Sequence, residues 1–417
     1  MSDDVTGRQQ EEVALADLEA RAVEAMPRAE PSSLREWVRD NLFGSTWQTV
    51  QTVLAAAILG FLAYAVLRWI FFTAEWRVVQ VNLTNYMIGR FPRVEVWRIW
   101  TCLFLVVALS GFTYGALEKR IRWSSGRVAL ASVIGVGGLL LLLFLLDGVG
   151  IWIWIGALTA TFAAMLALGR LGGRRRLRRA VVVGWIVIYP LIVTILIGFG
   201  GPSPRAWGGL LLNLMVGSIG IVASFPIGIL LALGRRSSFP VIRTFCVGVI
   251  ELLRGVPLIT LLFAGFFILP LLLPPQLDLP RIIRVSVMFT IFSAVYVAEI
   301  VRGGLQGVHH GQYEAARALG LPTWRLTAFV ILPQALRNTI PALISHFISV
   351  WKDTSLLSVV ASFDDLLAMA RQSAAGLDFI GTSKQVLFAA GLIFWAIAIS
   401  LGRWSQRVER RVGVGER

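Results

Sequence analysis

Four consecutive polar residues, Lys352, Asp353, Thr354 and Ser355, interrupt an otherwise apolar run of the sequence. Charged and hydroxyl side chains at membrane depth are costly, and they usually face protein or a water-filled path. A zwitterionic solute needs donors for its carboxylate and an acceptor for its ammonium group, and hydroxyls beside a carboxylate supply both. The four residues are therefore candidates for a solute path. A polar network that only packs helices together explains them equally well.

Two acid–base pairs at i, i+3 spacing lie near breaks in apolar runs: Glu251 with Arg254, and Glu299 with Arg302. Residues three apart share one face of a helix, so each pair can form on its own helix. Such charges can line a path for a polar solute. We favour a structural role at a hinge for both pairs, and we keep Glu251, Arg254 and Glu299 as candidates for the path.

The stretch 311–333 has the pattern of a short helix, a tight turn and a second helix. Gly320 is the usual residue type for a left-handed helix C-cap. Ala315 and Ala316 offer a surface without bulk that a partner can approach closely, and Glu314 places a charge at its rim. A surface of this kind suits docking and not catalysis.

Several kinds of site are not expected. The sequence contains no Gly-Lys dipeptide, and hence no phosphate-binding P-loop, so we expect no ATPase site in this chain. Its three histidines, His309, His310 and His346, lack metal-ligand spacing, and Cys102 and Cys246 lie in apolar stretches. We therefore predict no catalytic residue, no metal site and no cofactor in the chain itself.

The elements that must position these residues are membrane helices. Hydrophobic residues make up 56% of the 417 residues and charged residues 15%, against about 25% charged in soluble domains. Gly255 and Pro257 predict a break in the seventh of ten candidate spans, each about 20 residues or longer. The predicted fold class is all-α: a polytopic helical membrane protein with about ten transmembrane helices. The candidate spans are 49–72, 99–117, 128–146, 151–169, 180–200, 206–234, 240–273, 281–302, 335–360 and 383–402.

Arginine and lysine set the predicted orientation. Loops rich in these residues face the cytoplasm, so both ends of a ten-span chain are predicted to be cytoplasmic. The net charge of +15 therefore reports topology rather than nucleic-acid binding. Residues 1–48 lack a signal-peptide pattern and form an acidic tail to which we assign no chemistry. The stretch 73–98 is an exception, because its arginines outnumber its acids. The basic segments are 119–127, 170–179, 235–236, 317–337 and the tail after 403.

The loop at 311–333 also carries a specific resemblance to a known family. It resembles the EAA loop of bacterial ABC importer permeases, and the similarity to the polar amino-acid branch of that family extends over about 206–411. The whole chain is similar to the larger permease subunits of general L-amino-acid and glutamate/glutamine/aspartate/asparagine importers. The matching stretches are Glu314-Ala315-Ala316, Gly320, Val330-Ile331-Leu332-Pro333, Glu251 to Leu258, Ala298 to Gly304, Pro333 to Arg337 and Lys352 to Leu356. Val330 in place of isoleucine and His309-His310 in place of proline-lysine are local departures.

The resemblance implies a five-helix type I ABC importer permease core at 206–417, with its cytoplasmic coupling loop at 303–333. An N-terminal extension of about five helices, 49–200, precedes it. The loop is implied to dock on a separate ATPase, which binds ATP and magnesium. The other implied partners are a periplasmic amino-acid-binding protein and a second, homologous permease chain, in a heterodimer in the bacterial inner membrane. The residues implied in ATPase coupling are Gly311, Glu314, Ala315, Ala316, Gly320, Leu332 and Pro333.

Two other classes of function are less well supported. A secondary transporter usually shows inverted repeats with acids at corresponding places in its two halves, and no such correspondence is visible. A membrane scaffold or sensor needs a signalling domain at one end, and neither tail has the length or the pattern. Because 49–200 carries none of the polar constellations, we expect the extension to be separable from the transport mechanism.

Overall fold

The computed structural model describes residues 33–117, 149–171, 174–274, 276–277, 279–360 and 363–412. The regular structure within these ranges is helical. A π-helical turn spans Leu326–Ile331, and a 3-10 turn spans Thr354–Leu356. The helices are α1 Leu34–Leu42, α2 Thr46–Arg68, α3 Arg77–Ile88, α4 Val96–Leu117, α5 Val149–Leu171, α6 Arg174–Ile197, α7 Gly209–Arg235, α8 Pro240–Arg254, α9 Leu258–Phe263, α10 Leu269–Leu272, α11 Arg281–Gln306, α12 His310–Ala318, α13 Thr323–Arg325, α14 Leu332–Asp353, α15 Leu357–Val360, α16 Leu366–Ala374 and α17 Ser383–Val412.

Seven helices in the described ranges are long and apolar enough to cross a membrane. An eighth crossing results if α8 and the following α9–α10 segment, which are bent by 103° at the break between Arg254 and Leu258, count as one span. This is the break that Gly255 and Pro257 predict. The all-α, polytopic fold class is confirmed.

Two of the ten predicted spans have no counterpart among those crossings. The third, 128–146, lies outside the described residues, as do the whole basic loop at 119–127 and most of the N-terminal tail. The ninth, 335–360, is found as α14, the 3-10 turn and α15. Helix α14 carries the charged residues Arg337, Lys352 and Asp353, and it is not among the described helices that are apolar enough to count as crossings.

Helices α7 and α11 pack side by side. A Cβ atom added at Gly220 would lie 3.5 Å from Phe289 Cβ, and one added at Gly228 would lie 2.6 Å from Val297 Cβ. From the first contact to the second, the position advances by eight residues on each helix, so the two helices run in the same direction. The missing side chain at Gly228 is what permits their close approach, because a Cβ at 2.6 Å would force the helices apart.

By packing, the chain divides into two compact units, Met1–Ala74 and Glu75–Arg417. The first unit contains α1 and α2. Helix α1 begins with a reciprocal cap, since Ser33 Oγ accepts a hydrogen bond from the Glu36 N–H and Glu36 Oε2 accepts one from the Ser33 N–H. Two N–H groups that a helix start leaves without partners are thereby satisfied.

In the second unit the predicted extension and the predicted permease core share two hydrophobic clusters. One cluster packs Cys102 and Leu196 against Leu212 and Phe289. The other packs α3, through residues such as Tyr86, against α16 and α17. Packing therefore runs across the boundary that we predict at 200–206. Whether the extension is separable in transport stays a prediction.

Candidate coupling loop and translocation path

Helix α12 forms the short helix that the sequence predicts in the loop. Its N-cap is His309, whose Nδ1 accepts a hydrogen bond from the Gly311 N–H at 3.1 Å. It ends in a turn in which Gly320, at φ +71°, donates to the Arg317 carbonyl at 2.9 Å. This is the left-handed conformation that glycine adopts without steric cost. The Leu321 N–H then donates to the Ala316 carbonyl, which closes the turn.

Ala315 and Ala316 face in different directions. Ala316 is buried and packs with Val308, Leu326 and Ala335 in one hydrophobic cluster. Ala315 is exposed. The small docking surface that the sequence analysis expects therefore has Ala315 at its outer face, while Ala316 anchors the helix to the core, because adjacent helical residues point about 100° apart.

The exposed surface of the loop carries large apolar side chains in addition to the small residues and the charge that the sequence analysis expects there. Glu314 is exposed and lies 3.0 Å from His310 Nδ1. In the same loop, Leu319, Trp324 and Phe329 are 80%, 61% and 71% exposed, and the ring centroids of the last two lie 6.1 Å apart. We missed these three side chains in the sequence analysis. The sequence signal that could have identified them is the presence of large apolar residues within a polar loop, which is typical of an interaction surface.

Two contacts tie α12 to the neighbouring helices. Arg236, just after α7, lies over the ring of Tyr313 at 5.9 Å and donates to Tyr313 Oη at 3.3 Å. Gln334 Nε2, in the first turns of α14, donates to Gln312 Oε1 at 3.2 Å. Leu332 starts α14 partly buried, and Pro333 follows it on the exposed side. A displacement of α12 is thereby linked to both α7 and α14.

The predicted acid–base pairs form one shared cluster. Arg302 bonds to Glu299 at 2.9 Å, as its spacing predicts, but Glu299 also receives Arg235 at 2.6 Å and Arg254 at 3.6 Å. Glu251 pairs with Arg235 at 3.1 Å, and Arg254 is directed at Glu299 instead. Three guanidinium groups and two carboxylates therefore join the ends of α7 and α8 to α11, which is an arrangement suited to a hinge.

The polar run 352–355 lies at the end of α14 and in the 3-10 turn. Lys352 is exposed, Asp353 and Ser355 are half-buried, and Thr354 is fully buried. Thr354 receives hydrogen bonds from Asn213 Nδ2 at 3.2 Å, on both its carbonyl and its Oγ1. For Thr354 these hydrogen bonds correspond to the second alternative in the sequence analysis, a polar network that packs helices together. A role for the run in the solute path stays a prediction.

Asn213 also binds Asp365, the N-cap of α16. Its Nδ2 donates to Asp365 Oδ2 at 3.2 Å, and its Oδ1 accepts from the Leu366 N–H at 3.0 Å. Asp365 Oδ1 accepts from the Ala368 N–H at 2.9 Å. Burial raises the pKa of the Asp365 carboxyl to about 6, and the hydrogen bonds oppose this rise only in part. The sequence analysis did not single out Asn213, because one amide in an apolar span gives no pattern.

The candidate path residues thus form two groups at opposite ends of α7. Asn213, beside Thr354, and Arg235, beside Glu299, are separated by about 33 Å along the helix axis at 1.5 Å per residue. A single amino-acid site cannot include both groups. The structure brings together Glu251, Arg254 and Glu299, and it places the run 352–355 elsewhere.

Comparisons with known proteins decide the family. Residues 224–414 match the family model described as binding-protein-dependent transport system inner membrane component. The chain is 36% identical to the inner membrane amino-acid ABC transporter permease protein YhdY of Escherichia coli (strain K12), over 91% of this chain and 93% of that protein. The chain belongs to the amino-acid ABC transporter permeases.

A second relative of this permease is the glutamate/glutamine/aspartate/asparagine transport system permease protein BztC of Rhodobacter capsulatus. It is 32% identical over 90% of this chain and 93% of its own length. Among solved structures, the crystal structure of an amino acid ABC transporter with histidines matches 55% of the permease and 97% of that chain, at 27% identity and a TM-score of 0.44. From its relatives and its apolar helices, the permease is a multi-pass inner-membrane protein, and its family works with an ATPase and a binding protein.

Proposed function

We propose that this permease carries L-amino acids inward across the bacterial inner membrane, with energy from a separate ATPase. The exposed face of α12 and its glycine turn is the observation that carries the proposal. An exposed apolar surface with a charged rim marks a protein interaction site. The two similar permeases that span almost the whole chain are described as transporting amino acids, or glutamate, glutamine, aspartate and asparagine. ATP and magnesium bind to the ATPase, and this chain hydrolyses no ATP.

The assembly proposed here has four kinds of subunit. A second, homologous permease completes the path, in a heterodimer with this chain. A soluble binding protein delivers the amino acid from outside, and both termini of the permease lie in the cytoplasm with the coupling loop. The orientation is tested separately by reporter fusions at the C-terminus and in the loop after α10, of which only the first is expected to report the cytoplasm.

The transport proposal is tested in vesicles. The permease is purified with the products of its co-expressed neighbouring genes and reconstituted, and uptake is measured over a panel of amino acids with and without ATP. ATP-dependent uptake that also requires the binding protein is the expected result. Uptake driven by an ion gradient without ATP would instead indicate a secondary transporter. ATP turnover by the purified permease alone, above a mock preparation, would contradict the assignment of hydrolysis to the partner.

The docking surface is tested by removing its apolar side chains. Trp324→Ala and Phe329→Ala are expected to reduce ATPase co-purification, because exposed aromatic side chains often supply much of the binding free energy at an interface. The fold of the permease should change little, since both side chains are exposed. Leu377→Ala is the control, since Leu377 is an apolar side chain that is even more exposed, at 90%, but lies in the loop between α16 and α17. Equal ATPase recovery in all three variants would remove this face as the docking site.

A further inference from the structure

A cavity of about 430 Å³ lies between α6 of the extension and helices α7 and α11 of the permease core. The described residues around it are mostly apolar, and none of them is charged. Neither the coupling loop nor the two groups of candidate path residues contribute to it. Its most informative lining residues are Tyr189, Trp207, Ala223, Ile227, Ser286 and Thr290.

Three polar atoms in the wall of this cavity are buried without a hydrogen-bond partner among the described residues: Tyr189 Oη, Trp207 Nε1 and Ser286 Oγ. Trp207 and Ser286 are 7% and 3% exposed, and neither Trp207 Nε1 nor Ser286 Oγ makes a hydrogen bond to any described residue. Buried polar atoms almost always have a hydrogen-bond partner, because a buried donor or acceptor without one costs about 1–3 kcal/mol. All three atoms can donate, so an occupant of the cavity should bring hydrogen-bond acceptors.

The remaining wall of the cavity is open to the surroundings of the helices. Ile197, Ile227 and Ile283 line it and are exposed, which in a membrane-spanning helix bundle means contact with hydrocarbon. One end of the cavity is formed by helix ends, since Ile197 closes α6 and Trp207 lies just before α7. Tryptophan is enriched at that level, where lipid ester groups lie.

We propose that this cavity binds a membrane phospholipid, with one acyl chain along the apolar wall and ester carbonyl oxygens accepting from Trp207 Nε1 and Ser286 Oγ. An amino acid does not fit this chemistry, because its two charges would meet no counter-charge. Water needs two to four polar partners and would leave the apolar wall uncovered. A phospholipid supplies both acceptors and a chain, and it would fill the junction between the extension and the core.

The proposal is tested on the complete assembly in vesicles of phosphatidylethanolamine and phosphatidylglycerol. A trace phospholipid carries a photoreactive diazirine on one acyl chain, and the labelled residues are mapped by mass spectrometry after irradiation. We expect labelling of cavity residues on α6, α7 and α11. Ala223→Phe, which fills the cavity, should reduce this labelling about tenfold, equivalent to roughly 1.4 kcal/mol of lost binding. Leu230→Phe, an exposed site on the same helix outside the cavity, is the matched control and should leave it unchanged.

A second variant keeps the test independent of cavity filling. Ser286→Ala removes one donor with almost no change of volume, and it should lower the number of phospholipids that native mass spectrometry finds on the detergent-washed assembly. Unchanged labelling in Ala223→Phe would overturn the proposal. So would cavity labelling no stronger than at exposed α7 positions such as Leu230, unchanged lipid retention in Ser286→Ala, or occupation of the cavity by a crosslinked helix of the second permease.

Discussion

Glu299 on α11 lies 2.6 Å from Nη1 of Arg235 at the end of α7. The same carboxylate receives Arg302 and Arg254, while Glu251 pairs with Arg235 on the more exposed side. One carboxylate thus holds the ends of two neighbouring helices against its own. The sequence spacing suggests two ion pairs, each within one helix. In the structure only Glu299 and Arg302 pair in this way, and the other ion pairs of the cluster join different helices.

Removing the charge of Glu299 should destabilise the permease more than removing that of Glu251. The Glu299 side chain is 15% exposed and the Glu251 side chain 54% exposed. Glu299→Gln leaves three guanidinium groups with one carboxylate in a partly buried place. We expect a loss of about 2–3 kcal/mol for Glu299→Gln and less than about 1 kcal/mol for Glu251→Gln. Thermal unfolding of the detergent-purified chain measures both, and equal losses would contradict the role of Glu299 as the central acid.

Gly320→Val should impair coupling through the backbone alone. A Cβ at Gly320 would meet no atom of the described residues within 4 Å, but its φ of +71° is one that a β-branched residue adopts only at a cost of about 1–2 kcal/mol. The turn after α12 should therefore shift and weaken ATPase co-purification. Gly320→Asn is the control, because asparagine tolerates this conformation. The prediction fails if both variants bind the ATPase and transport like the parent.

Ala315 and Ala316 should respond differently to added bulk. Ala315→Leu adds volume on the exposed face, so the chain should stay stable while ATPase binding weakens. Ala316→Leu adds it inside a packed cluster, and overpacking there should cost about 1–3 kcal/mol. Unfolding midpoints and ATPase recovery are measured for both variants. Glu314→Lys should behave like Ala315→Leu. A loss of stability in Ala315→Leu would argue against the assigned orientation of α12.

The stability of the permease should fall with rising pH through the titration of Asp365. The folded pKa of about 6 lies above the ordinary value of 3.8, so the folded state holds the proton more tightly than the unfolded state. The contribution of this group is therefore fully present below about pH 4 and is lost as pH rises through about 6. Its size is on the order of 3 kcal/mol. Asp365→Asn should flatten the pH dependence of unfolding between these values, and an unchanged profile would refute the assignment.

Two truncations should separate the compact units from the predicted domains. Deletion of residues 1–74 removes one compact unit and should leave a chain that inserts and packs. Deletion of residues 1–200 also removes α3, α4 and α6, which share two hydrophobic clusters with the core, and should lower the unfolding midpoint. Membrane insertion, unfolding and coupled uptake are compared for both. Normal stability and uptake after the longer deletion would support the separable extension predicted from sequence.

The sequence by itself determined the membrane class, the positions of most spans, the break after Arg254 and the turn at Gly320. These features are set by local chemistry. Long apolar runs must cross the bilayer as helices because their backbone groups need internal partners, proline cannot continue a helix, and glycine favours positive φ at no steric cost. The EAA pattern also lies within one short segment, so its resemblance to a family could be recognised from the sequence without knowledge of the fold.

Only the tertiary structure decided which residues meet. Arg235 and Glu299 are 64 residues apart, and Asn213 and Asp365 are 152 residues apart, so no local spacing could pair them. The same reason explains why Ala316 faces inward while Ala315 faces outward, and why the extension shares its core with the permease helices. Burial and partner choice depend on which helix faces are brought together, and for most of these helices apolar residues occur all round, which leaves the facing side undetermined by sequence pattern.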